Sequence, residues 1–261
     1  MDISPAQERI LHSFNRYHFL TVEQVTTLHF SRGSAKYVSE VLKKLTENKY
    51  LSRLERASVN TKLIYCLGIR GIRYLKTLGM EAMSFHPSEH QKHSHMHTSH
   101  WLSTTDFLIA AEKLPRIRSD IELATLHHDL TLKRMLTGRV IPDGFLDFRT
   151  QHDQTCVWLE LDRATEEQSD IRKKVRAIVE WCHQFYIPTF NTHSINIAFA
   201  TPHGDKREKL LYQWVTQELE GAKELNWFLF ASLPPGELDP VRTFLSPIWK
   251  RYEEKSLVAL L

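Results

Sequence analysis

Cysteine is scarce in this chain, and the spacing needed for a cysteine-based site is missing. The three cysteines among 261 residues, Cys66, Cys156 and Cys182, lie far apart in sequence and form no Cys-x-x-Cys pair. This spacing excludes a disulfide framework and a zinc finger. It predicts a protein of a reducing compartment, and we expect a cytoplasmic location.

Long apolar runs and nucleotide-binding motifs are also missing. No run approaches the roughly 20 apolar residues of a membrane-spanning helix, which excludes an integral membrane protein. The N-terminus carries an early acid, Asp2, and no apolar stretch of a secretory signal. Neither GxxxxGK[ST] nor GxGxxG occurs, so the sequence does not indicate a nucleotide-binding protein.

The charge that is present is divided unevenly along the chain. Residues 1–80 hold 13 Lys and Arg against 6 Asp and Glu, a net charge of +7, whereas residues 81–261 have a net charge of −4. Such a division favours a nucleic-acid-binding module joined to a second domain. A solvated basic face is the alternative explanation.

Residues 1–80 have the pattern of a winged helix-turn-helix domain. Ile10, Leu11 and Phe14 predict a first helix, and Thr21–Gln24 is a capping box that predicts a second. A third helix is expected from Ser34 to Asn48, and its core side would hold four apolar residues: Val38, Val41, Leu42 and Leu45. A β-hairpin follows, with strands Tyr50–Glu55 and Lys62–Leu67 joined through Ala57–Thr61, and then a fourth helix over Gly68–Leu78.

This arrangement places a set of polar and basic residues where duplex DNA would bind. The second helix of a helix-turn-helix enters the major groove. The residues expected at the groove are Arg32, Ser34, Lys36, Tyr37, Lys43 and Lys44. Three residues on or near the hairpin, Arg53, Arg56 and Lys62, would reach phosphates. A domain used for protein contacts is the alternative, and a homodimer that reads two half-sites is a further expectation.

Residues 81–100 are predicted to be a linker rich in histidine. His86, His90, His93, His95, His97 and His100 fall within fifteen positions. Imidazole is a common zinc ligand, but this spacing fits no finger. A polar linker that gains charge as the pH falls is the favoured interpretation.

Residues 101–261 alternate between helical and strand-like segments, which predicts a mixed central sheet flanked by helices. A helix is expected over Trp101–Leu114. The strands are expected at Ile121–Leu126, His128–Arg134, Arg139–Phe148, Thr155–Asp162, Ser194–Thr201 and Trp227–Leu233. Long helices are expected at Glu166–Tyr186 and Lys206–Leu219.

Three acids in this region are candidates for one site. Glu160 and Asp162 are two residues apart in a strand and therefore share a face. If the preceding strand pairs through Thr150–Gln154, Asp143 joins them. Converging carboxylates repel one another unless a cation lies between them, and hard oxygen ligands favour Mg²⁺ or Mn²⁺. Such an ion would activate water for phosphodiester hydrolysis.

The order of these acids resembles the PD-(D/E)xK restriction-endonuclease-like superfamily. Pro142-Asp143 would be its first motif and Glu160-Leu161-Asp162 its second. Asp162 stands where that resemblance implies a catalytic lysine, and Lys173 or Lys174 on the next helix would be the substitute. An active nuclease and a degenerate, non-catalytic nuclease fold both remain open, as do acids that merely cap strands or pair with Arg163 and the helix lysines.

Over roughly residues 8–190, the chain resembles the replication-relaxation family of bacterial plasmids and mobile elements. The similarity rests on Leu20-Thr21, Ser34–Leu45, His100 with Asp106, Ile141-Pro142-Asp143, Glu160-Leu161-Asp162-Arg163-Ala164-Thr165-Glu166, Lys173 or Lys174, and Tyr186. Ala164 stands where the resemblance implies a glycine, while an acid at the position of Asp162 fits the family.

This resemblance implies a fold and a role. The fold is α+β, with an N-terminal winged helix-turn-helix followed by a restriction-endonuclease-like mixed-sheet α/β domain. The role is that of a DNA-binding accessory or regulatory protein of replication, relaxation or transfer, with double-stranded DNA and mobile-element proteins as partners. The alternative is a metal-dependent DNA endonuclease that uses Asp143, Glu160 and Asp162. A cofactor, Mg²⁺ or Mn²⁺, is expected only in that second case.

Overall fold

The structure is a computed structural model that describes residues 2–54, 62–82, 95–136 and 140–261, with only the backbone described over residues 95–99. The chain divides into two compact units, Met1–Thr105 and Asp106–Leu261. The division falls inside a long helix, five residues beyond the predicted end of the linker at residue 100.

The first unit consists of short helices and a small sheet. Its elements are α1 (Pro5–Tyr17), β1 (Leu20–Thr21), α2 (Val22–His29), a 3₁₀ turn (Arg32–Ser34), α3 (Ala35–Glu47), β2 (Leu51–Arg53), β3 (Ile64–Leu67), α4 (Ile69–Thr77) and the start of α5 (His95–Ile117). Two capping boxes begin α1 and α2, in which Ser4 and Gln7, and Thr21 and Gln24, bind each other's backbone N–H groups.

The hairpin predicted after α3 is confirmed as an antiparallel pair. Leu51 lies opposite Leu67 and Arg53 lies opposite Tyr65. β1 was not predicted from the sequence. It pairs antiparallel with the other edge of β3 and gives the strand order β1-β3-β2. The central strand β3 is buried throughout, so the helices and the hairpin share one apolar core.

The second unit is built on a mixed sheet. Its elements are the rest of α5, β4 (Glu122–His128), α6 (Asp129–Met135), β5 (Gly144–Arg149), β6 (Gln154–Leu161), α7 (Gln168–Trp181), a π-helical turn (Cys182–Tyr186), α8 (Ile187–Phe190), β7 (Asn196–Thr201), α9 (Asp205–Glu218), a 3₁₀ turn (Lys223–Trp227), β8 (Phe228–Ser232), α10 (Pro240–Leu245) and β9 (Lys250–Arg251).

The strand order is β4-β5-β6-β7-β8-β9, so the predicted mixed sheet in an α+β chain is confirmed. β6, β7 and β8 run parallel, and the remaining pairs are antiparallel. Trp158 and Phe199 on the sheet pack with Val175 on α7 and Val215 on α9 in one apolar cluster. The carboxyl ends of the parallel strands therefore lie beside the N-terminal turns of these helices.

The strand predicted over His128–Arg134 is wrong, because residues 129–134 belong to α6 and His128 is the last residue of β4. Alternating apolar residues suggested a strand, but Asp129 and Lys133 stand one helical turn apart and form an ion pair of 2.8 Å. Leu132 is the only residue of this helix that is buried, and a short amphipathic helix is sufficient to bury it. The strand expected over Arg139–Phe148 is correspondingly shorter. It begins at Gly144, after Pro142, which has no N–H to donate to a ladder.

Candidate nucleic-acid interface and carboxylate site

The predicted inner and outer sides of α3 are both observed. Val38, Val41, Leu42 and Leu45 are buried, as the apolar spacing predicts. Of the residues expected at the groove, Ser34 is half-buried and the others are exposed: Arg32, Lys36, Tyr37, Lys43 and Lys44. Tyr37 is 57% exposed and its ring packs edge-on against Phe30 at 5.7 Å. The helix thus presents a polar face on a buried apolar side, with three exposed lysines and two exposed acids, Glu40 and Glu47.

The residues expected to reach phosphates from the hairpin are only partly described. Arg53 on β2 and Lys62 before β3 are both exposed. Arg56 lies outside the described residues. The same holds for the side chains of all linker histidines except His100, so the linker interpretation stays a prediction.

Strand pairing in the second unit brings Asp143 opposite Glu160. Phe145 pairs with Trp158 and Gly144 with Leu159, so the next position along β6 is Glu160. The Asp143 N–H donates to the Leu159 carbonyl at 3.0 Å. The Leu161 N–H donates to Oδ2 of Asp143 at 2.8 Å, so this carboxylate caps the end of the β6 ladder.

Glu160 is a buried acid with a cationic partner. Its Oε1 accepts a hydrogen bond from Trp158 Nε1 at 2.8 Å, and its Oε2 lies 3.5 Å from Lys174 Nζ. Lys174 also bonds Oε2 of Glu166 at 2.7 Å. Lys174 on α7 is therefore the lysine near the acids, and its neighbour Lys173 is exposed.

Burial and the neighbouring opposite charge shift the pKa values of Glu160 and Lys174 in opposite directions. The pKa of Glu160 is raised to about 7, mainly by burial; the Lys174 ammonium holds it down, and the nearby Asp143 raises it. Burial alone would lower the pKa of Lys174, but the charges of Glu160 and Glu166 outweigh it and raise that pKa. The result is a proton-sensitive carboxyl beside a permanently charged ammonium.

Asp162 does not join the other two acids in the predicted set of three. Arg207 on α9 donates two hydrogen bonds to its carboxylate, at 2.6 and 2.8 Å. Oδ2 also accepts hydrogen bonds from the Ala164 N–H at 3.0 Å and the Thr201 hydroxyl at 3.3 Å. Among the described residues, which include all three acids, no group of three or more His, Cys, Asp or Glu could hold a metal ion.

The other two carboxylates, Asp143 and Glu160, both interact with the Lys174 ammonium through their charges. Mg²⁺ is commonly held by one or two carboxylates together with substrate phosphates and water. By this chemistry Asp143 and Glu160 are the residues that would hold such an ion, whereas a three-carboxylate site does not fit because Arg207 occupies Asp162.

The replication-relaxation family profile matches residues 11–184, about two thirds of the chain. The chain belongs to the replication-relaxation family. The match includes α3, Asp143, Glu160, Asp162 and Lys174 and stops short of Arg207. No curated protein matches this family member.

Two solved structures similar to this replication-relaxation protein are of restriction endonuclease FokI, one of them bound to DNA. They share 12% and 13% identity with it, at TM-scores of 0.27 and 0.29. Each comparison covers 81% of this chain and 40% of the FokI chain. Scores this low carry no argument about its fold or activity.

Among the described helices of the replication-relaxation protein, none is long and apolar enough to cross a membrane.

The turn after β6 explains why the family resemblance implies a glycine there. Ala164 has φ of 56°, in the left-handed region that an L side chain adopts at a cost of about 1 kcal/mol or more. The hydrogen bond from its N–H to Asp162 holds this conformation. The replication-relaxation protein therefore retains the turn although its residue here is alanine.

Arg207 and the indole of Trp158 are functional groups that the sequence did not reveal. Arg207 is 45 residues from Asp162, and the only available signal was its place in the first turn of a helix that follows a parallel strand. Trp158 was expected in a strand. The hydrogen bond from its indole N–H to the carboxylate of Glu160, two residues away, has no distinct pattern in the sequence that would predict it.

Proposed function

We propose that this chain is a DNA-binding accessory or regulatory protein of plasmid or mobile-element replication, relaxation or transfer. Membership of the replication-relaxation family suggests a role in replication or relaxation. The finer proposal is that the first unit binds duplex DNA as a winged helix. A cytoplasmic location, a homodimer and mobile-element protein partners remain predictions.

The topology of the first unit supports this assignment. α2 and α3 are joined by a short turn at Arg32–Ser34, as in a helix-turn-helix, and the β2–β3 hairpin follows directly. The hairpin is anchored by the pairing of β1 with β3. This connectivity supports the proposal of a winged helix.

The observation that carries the proposal is the outer face of α3. Lys36 and Lys43 are separated by seven residues, which places them on one side of the helix, and both are exposed. The helix is about 20 Å long and its buried side is continuous, so its exposed side can enter a major groove without disturbing the core.

A Lys36→Ala/Lys43→Ala variant is expected to bind duplex DNA less tightly because two cations leave the interface. The slope of log affinity against log salt concentration should fall by about 1 for each phosphate that the protein no longer neutralises. Fluorescence anisotropy with a short labelled duplex over a salt series measures both quantities. A Lys206→Ala/Lys209→Ala variant of the second unit removes the same charge from exposed positions and serves as the control. Equal affinity and slope in all three proteins would refute binding through α3.

A metal-dependent DNA endonuclease is the second candidate, and the juxtaposition of Asp143, Glu160 and Lys174 favours it. Mg²⁺ or Mn²⁺, when bound by Asp143 and Glu160, supplies Lewis-acid activation of water. Lys174 would stabilise the negative charge that develops on the phosphodiester. Asp162, in contrast, would position the loop that follows β6, since Arg207 holds it away from the reacting group.

Supercoiled plasmid with Mg²⁺ or Mn²⁺ distinguishes the two candidates. If the site is catalytic, the wild type should nick or linearise the plasmid, and Glu160→Gln and Lys174→Ala should lower the rate by about 100-fold or more. Glu167→Gln, at an exposed position beside the cluster, is the matched control. Retarded but intact plasmid in every sample would exclude the nuclease and leave the accessory role.

A further inference from the structure

The outer face of α4 carries a second group of cations, separate from the face of α3. Arg70, Arg73 and Lys76 follow one another at intervals of three residues and are all exposed. At 3.6 residues per turn they fall within an arc of about 120° and extend over about 9 Å of helix. We call these three residues the α4 ridge.

The α4 ridge is held rigidly at the C-terminal end of α3. The Arg70 N–H donates to the Lys49 carbonyl at 3.0 Å, and its guanidinium reaches the Asn48 carbonyl at 3.4 Å. The two glycines of this helix start permit the close approach. A Cβ at Gly71 would lie 2.2 Å from the Tyr50 carbonyl oxygen, and one at Gly68 would lie 2.5 Å from that of Lys49.

No acid within the described residues pairs with the ridge. α4 itself contains no Asp or Glu. Tyr74, which lies beside Arg70 at the edge of the ridge, donates its hydroxyl to Glu8 of α1, so that acid is bound by Tyr74. Three cations on one exposed face, without carboxylate partners among the described residues, match a polyanion with regularly spaced charges, and each strand of duplex DNA presents about one phosphate for every 3.4 Å of helix axis.

We propose that the α4 ridge binds the phosphate backbone of the same duplex whose major groove receives α3. This inference rests on the proposed function of the first unit. α3 is about 20 Å long, whereas the major groove is about 12 Å wide, so a helix that enters by its N-terminal half brings its C-terminal end to the flanking backbone. α4 begins at that end. The length of the ridge, about 9 Å, corresponds along the DNA helix axis to the rise of two or three phosphates of one strand.

An Arg70→Ala/Arg73→Ala/Lys76→Ala variant tests the assignment. Alanine favours helix, so the variant should fold, and circular dichroism with a thermal melt checks this directly. Affinity for random-sequence duplex should fall at least tenfold at moderate salt, and the salt slope should fall by about 3, since phosphate contacts weaken binding uniformly across sequences when they are removed. Lys206→Ala/Lys209→Ala/Lys223→Ala, which removes three exposed lysines of the second unit, is the matched control.

The Lys36→Ala/Lys43→Ala variant separates this inference from the proposed function. Weaker binding in both the α3 and the α4 variants, with the control unchanged, supports both. If the α3 variant weakens binding while the folded α4 variant keeps the wild-type affinity and slope, the ridge assignment is wrong and the proposed function stands. A wild-type protein that does not bind duplex DNA overturns both.

Discussion

Arg207→Met is expected to cost about 3 to 5 kcal/mol of the free energy of unfolding, because it leaves the buried carboxylate of Asp162 without its cation. The Asp162 side chain is 1% exposed and that of Arg207 is 11% exposed, so water cannot replace the two missing hydrogen bonds. Urea denaturation followed by tryptophan fluorescence measures the change. Asp162→Asn introduced into the same variant removes the orphaned charge and should recover a substantial part of the loss.

Arg176 provides the matched comparison for this experiment. It forms an equally short ion pair with Glu218, at 2.6 Å, but its side chain is 59% exposed. Arg176→Met should therefore cost less than about 1 kcal/mol. If Arg207→Met is no more damaging than Arg176→Met, then Asp162 is not held as a buried ion.

Glu160→Gln is expected to change how stability depends on pH. Burial raises the pKa of Glu160 from the ordinary value of 4.5 to about 7, so between about pH 5 and 7 the folded protein retains a proton that the unfolded chain has lost. The contribution of Glu160 to stability therefore declines as the pH rises through this window. Glutamine retains an oxygen for the Trp158 N–H and cannot ionise, so the variant should lack that decline.

Urea denaturation measures the size of this change in pH dependence, and a control variant is available. Relative to wild type, Glu160→Gln should gain on the order of 1 to 3 kcal/mol at pH 8 compared with pH 5, measured by urea denaturation at both values in the presence of a chelator. Lys174 keeps its ion pair with Glu166 in this variant. Glu167→Gln should follow the wild-type curve. A Glu160→Gln curve parallel to wild type would show that Glu160 titrates normally.

The features predicted correctly from the sequence are those that depend on neighbours within one element or one hairpin. The spacing of Val38, Val41, Leu42 and Leu45 defines one side of a helix, so the opposite side follows without knowledge of the rest of the fold. The approach of Asp143 to Glu160 follows in the same way, since a short turn at Thr150–Gln154 fixes the register of the two strands.

The features missed from the sequence depend on partners distant along the chain. Glu160 and Asp162 were expected to act together because they share a strand, yet Asp162 lies just past the end of β6 and is bound by a guanidinium from α9. The sequence could not show which of Lys173 and Lys174 lies near the acids, because both are lysines and they are adjacent. Packing distinguished them, because burial of Ile171 and Val175 turns Lys174 towards the sheet.

The bond between Arg207 and Asp162 also bears on how far the family-matched segment can act alone. That segment ends at residue 184, so a fragment cut there would contain Asp143, Glu160, Asp162 and Lys174 but neither β7 nor α9. In the fragment β6 would become an unprotected sheet edge and Asp162 an uncompensated acid. The smallest autonomous unit that can carry this carboxylate cluster therefore extends past the matched segment, at least to the end of α9.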